Sequence, residues 1–379
     1  MTDEQKNEEQ IIQGQEVLKK IKISRIILPI ILGITAVLWL LWKRFDPTEF
    51  AKIKWTTHTL IWISIAILFL IIRHLAYSLR LYIISNRRFS YTKCIELLFI
   101  WEFSTAVAPT STGGAAVALF VLIQEKLSTA KTVTIVIYKV LLDSIFFITV
   151  IPTLFFIFGL KIIRPDLHSW SQMDGWGYSF LTVYALMLTQ GVILFFGLFL
   201  APSSIKKLLL FFTKFPLLNR FKDRANTLGS EIEIASEEIR KHSWRYHLGG
   251  FCATIIAWVS RFLLINCLII AIIPTTPLLF HDQILLFARV AIMYIVTLFS
   301  PTPGGAGIAE IVFGGFLSDY IPATTALVIA FLWRILTYYS YLLAGAFVVP
   351  NWINNLYFNK NKDIKESESK QLQDNDQKI

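Results

Sequence analysis

The stretch Ser300-Pro301-Thr302-Pro303-Gly304-Gly305-Ala306-Gly307-Ile308-Ala309-Glu310 decides how this chain is read. It lies inside an apolar segment, 283–317, and breaks it with residues that do not continue a helix. A second break, in the apolar segment 94–123, reads Pro109-Thr110-Ser111-Thr112-Gly113-Gly114-Ala115-Ala116-Val117-Ala118. With Gly113 set on Gly304, Gly-Gly-Ala and the alanine three places on coincide, and Val117 faces Ile308. The flanks extend the match. Arg73 lies 40 residues before Gly113, and Arg261 lies 43 before Gly304. Lys139 follows Gly113 by 26 residues, and Arg334 follows Gly304 by 30. Each half therefore reads as a span with an interior arginine, a broken hairpin, and a span with an interior cation.

Composition says what surrounds these halves. Of 379 residues, 55% are apolar and 16% charged, and the mean hydropathy is +0.58. Soluble domains run at about 45–50% apolar and about 25% charged. A soluble enzyme is excluded, because its core could not hide so much apolar side chain. A spanning helix needs about 20 apolar residues. Ile26–Trp42, His58–Ile84, Thr132–Leu160, Tyr178–Leu200, His247–Ile273 and Pro322–Val349 each read as one. The segment Met1–Lys20 is polar and lacks the pattern of a cleaved signal, so the first span is expected to stay.

Basic residues set the orientation. Of 36 Lys and Arg, 24 fall in the N-terminal segment to Arg25, the loops Ser85–Lys93, Gln124–Lys131 and Ala201–Tyr246, and the tail from Asn351. Six fall in the remaining loops, four of them in Lys43–Thr57, and six lie within apolar segments. The positive-inside rule puts the 24, and with them both termini, in the cytoplasm. Cys94–Ile123 then enters and returns on the cytoplasmic side, and Gln283–Leu317 does so from the other. The expected fold is all-α and polytopic, with six full spans and two opposed re-entrant hairpins in an inverted repeat. Its parts are residues 1–25, a transmembrane domain over 26–350, and a disordered tail over 351–379. The halves cover about 58–160 and 247–349, joined through the loop 201–246. Inverted-repeat transporters hold substrate near the midplane, where broken helices meet.

Arg73, Lys139, Asp143, Arg261 and Arg334 sit in span interiors, and Glu310 sits in the second hairpin. One such group at a helix centre costs roughly 2.5–3.5 kcal/mol, so six facing lipid would cost on the order of 15 kcal/mol. That rivals the net stability of a whole domain, about 5–15 kcal/mol. They must face one another or a wet cavity. Lys139 and Asp143 can pair across one helical turn. Glu310 can cap a helix start or pair with Arg334. Cations outnumber anions, even with Glu102 counted, and a net-positive pocket attracts an anion. These six residues are the expected binding site for a phosphate-bearing amphiphile. Pro109, Gly113, Gly114, Pro301, Pro303, Gly304, Gly305 and Gly307 would let the hairpins bend as gates.

Other chemistry has little support in the sequence. Cys94, Cys252 and Cys267 give no disulfide framework or metal spacing and read as small buried apolar residues. The six histidines are scattered and suggest no metal centre. No nucleophile elbow, phosphate-binding loop or dinucleotide fingerprint is present, so no cofactor is expected. No nucleic-acid motif accompanies the net charge of +10. Trp170, Trp176, Tyr178, Trp244 and Tyr246 read as interfacial anchors. Ser203–Lys214 reads as an amphipathic stretch on the inner leaflet.

These motifs resemble the transmembrane region family of lysylphosphatidylglycerol synthases. Pro301 to Glu310 is similar to the family's Pro-Gly-Gly-x-Gly-x-x-Glu signature. Trp101–Leu122 and Lys139–Asp143 resemble its first hairpin and the following Arg-x-x-x-Asp helix. Lys139 stands where relatives carry arginine, and the first hairpin lacks an acid that many of them carry after the glycine. The resemblance implies a bacterial inner-membrane protein related to lipid flippases, with an anionic or aminoacylated phospholipid as its partner. It implies no synthase activity, since a soluble domain carries the aminoacyl transfer in bifunctional relatives. Carriage of a polyprenyl phosphate and a scaffold for an envelope enzyme are the alternative functions.

Overall fold

The computed structural model describes Ala51 and residues 55–356, except 108–110, 164–166, 168, 215–218, 298–312, 314–315, 318–319 and 322. Contacts divide the chain into Met1–Ala51 and Lys52–Ile379. The expected first span, Ile26–Trp42, lies outside the described residues, as do Pro109, Pro301, Pro303, Gly304, Gly305, Gly307 and Glu310.

The second unit is a helical assembly with no strand among its described residues. Its helices are α1 (Thr57–Ile84), α2 (Tyr91–Val107), α3 (Ser111–Gln124), α4 (Thr129–Phe158) and α5 (Gly175–Phe195). After them come α6 (Pro202–Phe212), α7 (Lys222–Arg240), α8 (Trp244–Ile272), α9 (Phe280–Thr297) and α10 (Ala323–Arg334). Local chemistry sets several of the starts. Thr56, Ser128 and Asp174 each accept a backbone N–H from the first turn of α1, α4 and α5. Gly159 ends α4 at a φ of +61°, where a side chain would be strained. One π turn, Phe196–Leu200, continues α5, and another, Ile335–Tyr339, carries α10 onward to residue 356.

Among the described residues six helical stretches are long and apolar enough to cross a membrane: Thr57–Ile84, Lys131–Ile162, Gly175–Leu200, Trp244–Ile272, Phe280–Thr297 and Val328–Leu356. The chain is thus an all-α polytopic membrane protein. Five of these stretches coincide with spans read from the sequence. Phe280–Thr297 is instead the first arm of the expected second hairpin, and its 18 residues by themselves suffice to cross. The turn and most of the return lie outside the described residues. The last helix also runs beyond Pro350 to residue 356. Trp352 is buried there and donates Nε1–H to Glu125 at 2.6 Å, so packing holds a stretch that composition assigned to the tail.

α1 and α8 pack against each other along their length and run antiparallel. Tyr246 near the start of α8 donates its hydroxyl to Ile84 O at the end of α1, 3.1 Å away. Deeper along the pair, Gly249 meets Ile83, Arg80 reaches Thr254, and Tyr77 meets Trp258. Gly249, Ala253 and Ala257 recur every fourth residue of α8, a spacing that lets two helices approach closely in lipid. The helices carrying Arg73 and Arg261 therefore point in opposite directions. Of the six spans, α8 is the most buried and α5 the least.

α2 and α3 form the first hairpin. Lys93 in the first turn of α2 donates to Glu125, just past the end of α3, at 2.8 Å. The hairpin's two outer ends therefore sit side by side. Burial alone would lower the Lys93 pKa, but its hydrogen bonds to Glu125 and Glu96 raise it above the ordinary lysine value. Between α5 and α8, α6 lies across α7, with Gly229 tight against the Lys206 backbone and Lys206 Nζ donating to Ser230 at 2.9 Å.

Two side chains differ from their sequence reading. Cys252 is exposed, because an apolar residue on the outer face of a span can meet lipid. Tyr246 is turned inward onto Ile84 and stacks on His242 at 4.1 Å, so it ties helices together rather than anchoring them at an interface.

Gly345 is where the last helix touches the first hairpin. A Cβ there would come within 2.3 Å of the Phe103 ring. Overpacking of this kind costs about 1–3 kcal/mol. Gly345→Ala is expected to lower the thermal unfolding midpoint of the purified protein by several degrees. Gly175→Ala, with nothing within 4 Å of its Cβ, serves as the silent control. Equal midpoints for the two variants would disprove the close contact.

Candidate functional site

Arg73, Tyr77 and Arg80 recur at steps of four and three along α1 and so share one face. That face points inward, leaving Arg73 1% and Arg80 3% exposed. Three other spans and the first hairpin bring partners to it.

Asp143 of α4 is the junction at the Arg80 end. Its Oδ1 accepts from Arg80 Nη1 at 2.5 Å and from Trp258 Nε1 of α8 at 2.8 Å. Its Oδ2 lies 3.3 Å from Lys139 Nζ, one turn earlier on α4. Arg80 Nη1 also donates to Thr254 of α8 at 3.3 Å. One carboxylate thus fastens three helices. Lys139 Nζ lies 5.3 Å from the Trp101 ring centre, which links the junction to α2.

Glu102 of α2 serves the Arg73 end, accepting from Nη2 at 2.8 Å. The remaining donors, Nε and Nη1, are buried and have no hydrogen-bond partner among the described residues. The Arg73 guanidinium lies 5.4 Å from the Tyr77 ring and 5.2 Å from that of Tyr341 on the last helix. His74 bonds through Nδ1 to the Tyr341 hydroxyl at 3.2 Å and packs on Phe99 at 4.0 Å. Its Nε2 is likewise buried without a partner among the described residues.

Arg261 of α8 completes the cluster. Its guanidinium lies 4.7 Å from the Tyr294 ring of α9 and 5.3 Å from that of Trp258. It is within electrostatic reach of Glu102 and Tyr77. Among the described residues it makes ring contacts but no hydrogen bond or ion pair.

Arg73, Lys139, Asp143 and Arg261, all named from the sequence, therefore meet in one connected cluster. The sixth position, Glu310, lies outside the described residues. Arg334, 6% exposed, packs on Tyr338 at 5.5 Å, and Tyr338 donates to Ala106 O at 3.0 Å near the end of α2. That places it by the tip of the first hairpin. A π turn begins at the next residue, and such turns often mark functional sites. Gly113 and Gly114 lie in the first turn of α3.

Sequence reasoning left Arg80 out of the site, although its place two turns from Arg73 was a usable signal. It also missed His74 and the rings of Tyr77, Trp258, Tyr294 and Tyr341, which apolar spans carry in abundance. Arg289 of α9 is buried too, but it donates Nε–H to Lys161 O at 2.9 Å and packs on Tyr320, contacts that hold the end of α4. Among the described residues no three His, Cys, Asp or Glu gather as metal ligands.

The chemistry of the cluster follows from its charges. Arg73, Arg80, Lys139 and Arg261 face Glu102 and Asp143, a surplus of two positive charges among the described residues. Removing one partner from a buried pair costs about 3–5 kcal/mol. Asp143→Ala strands Arg80, Lys139 and Trp258 together and is expected to cost that much in chemical unfolding. Changing Arg80→Met alongside Asp143→Leu should recover part of the loss. A cost below about 1 kcal/mol for Asp143→Ala would mean that the donors find other acceptors, and the junction would not be structural.

Comparison with known proteins bears on the whole spanning region. The profile described as the lysylphosphatidylglycerol synthase TM region matches residues 26–345. A UPF0104 membrane protein of Archaeoglobus fulgidus is 24% identical over 301 residues, covering 76% of this chain and 85% of that protein. No solved structure matches. Through a match that takes in every described span but the end of the last, the chain belongs to the lysylphosphatidylglycerol synthase transmembrane-region family.

Proposed function

We propose that the protein moves a phospholipid between leaflets, taking its phosphate-bearing headgroup, anionic or aminoacylated, into the cluster around Arg73 and Arg261. The observation that carries this reading is the surplus of positive charge among the described residues, with buried Arg73 donors that lack acceptors there. A phosphate leaving water loses its hydration, and charge-assisted bonds from guanidinium groups offset that loss. The acyl tails remain in lipid while the headgroup passes the midplane. The antiparallel α1 and α8 support two half-units of opposite direction, which is the architecture of alternating-access carriers.

On this reading the protein is a carrier that makes and breaks no covalent bond and uses no cofactor. It works in the inner membrane of a bacterial cell with both termini in the cytoplasm, and Glu310 and Arg334 join the path at the hairpins.

The test is purified protein in vesicles carrying a fluorescent phospholipid, with a membrane-impermeant reductant to bleach the outer leaflet. Protein-containing vesicles are expected to expose the inner pool faster than empty ones. Arg261→Gln should slow that exposure roughly tenfold, about 1.4 kcal/mol. Its stability should fall by no more than about 2 kcal/mol, because among the described residues the side chain loses only ring contacts. Vesicles no faster than empty ones with every phospholipid would favour the scaffold reading.

A further inference from the structure

A phosphate is common to all phospholipids, so the rest of the headgroup decides which of them the cluster accepts. A headgroup ammonium can be held by an aromatic cage or by a carboxylate. Both kinds of partner are present among the described residues, and the protein's own cations already occupy them. Tyr77 has Arg80 at 4.6 Å and Arg73 at 5.4 Å. Trp258 and Tyr294, in contact with each other, both lie against Arg261, and the Phe147 ring lies against both. Tyr341 has Arg73 at 5.2 Å and is packed by Phe99 and His74. Trp101 has Lys139.

The carboxylates are claimed in the same way. Asp143 accepts from Arg80 and Trp258 and pairs with Lys139. Glu102 pairs with Arg73 and lies in the field of Arg261. What is left over is donor capacity. Among the described residues Arg73, 1% exposed, has Nε and Nη1 unpaired, and Arg261 is held by rings alone. A second cation brought in by a ligand would meet four resident ones.

We infer that the cluster selects an amphiphile whose phosphate headgroup is net negative, and turns away headgroups that carry their own ammonium, whether choline or an aminoacyl ester. The inference rests on the lipid-moving reading and narrows it. Arg73 and Arg261 supply the attraction, and the filled aromatic faces and carboxylates supply the discrimination. Two sources share this chemistry, an anionic phospholipid and a polyprenyl phosphate.

The experiment has a binding arm and a transport arm, both with the full-length protein. In detergent, thermal unfolding is followed with added phosphatidylglycerol, lysyl-phosphatidylglycerol, phosphatidylcholine or undecaprenyl phosphate. A ligand that binds the folded state raises the midpoint in proportion to the logarithm of its concentration over Kd. Phosphatidylglycerol or the polyprenyl phosphate is expected to bind at least tenfold tighter than the lysyl ester or phosphatidylcholine. Arg73→Gln should abolish the difference, and Arg261→Gln, which breaks no hydrogen bond among the described residues, covers the case in which the first variant does not fold. The vesicle assay then ranks transport of the same lipids.

Equal or tighter binding of the lysyl ester or phosphatidylcholine would overturn the selectivity, and their movement across vesicles would leave the transport reading standing. Binding of undecaprenyl phosphate alone would uphold anion selection and displace the phospholipid. If nothing bound and nothing moved, both readings would fall.

Discussion

Ionised groups are costly to leave without partners where there is no water, and that constraint organises this molecule. Asp143 is its clearest expression. A single carboxylate on α4 accepts from Arg80 of α1 and Trp258 of α8 and lies 3.3 Å from Lys139 on its own helix. Helices in lipid gain little from apolar burial, because lipid tails are as apolar as leucine. Close packing and shared polar partners must do the holding. The small-residue face of α8 brings α1 near enough for Arg80 to reach Thr254 and Asp143. The polar junction then fixes the register that this packing alone would leave free to slide.

Much of this was legible in the sequence because two physical periods are strict. The length of an apolar run is set by bilayer thickness, so α1, α4, α5, α8 and the last helix were found nearly at their true limits. Charge inside such a run is expensive, so Arg73, Lys139, Asp143 and Arg261 stood out, and all four meet in space. The pairings were less legible. Lys139 with Asp143 is a one-turn contact and could be read directly. Arg73 with Glu102 and Arg80 with Asp143 join different helices, and a single sequence does not reveal which helices are neighbours. Aromatic residues pose a different difficulty. Tyr77, Trp258 and Tyr294 look like any residue that an apolar span tolerates, and only their position over a guanidinium gives them a role.

The aromatic rings also bear on how a cluster with surplus charge persists at all. Among the described residues four cations against two carboxylates would repel one another, yet each cation lies beside the face of at least one ring. A cation over a desolvated ring gains about 2 kcal/mol, less than a paired carboxylate gives, and it contributes no negative charge. A pocket neutralised by carboxylates would be more stable and would have nothing left with which to draw an anion. One left bare would not hold its helices together. Rings in place of further acids set the cluster between these limits: stable enough to stay assembled inside the membrane, and still positive enough for a phosphate to complete it.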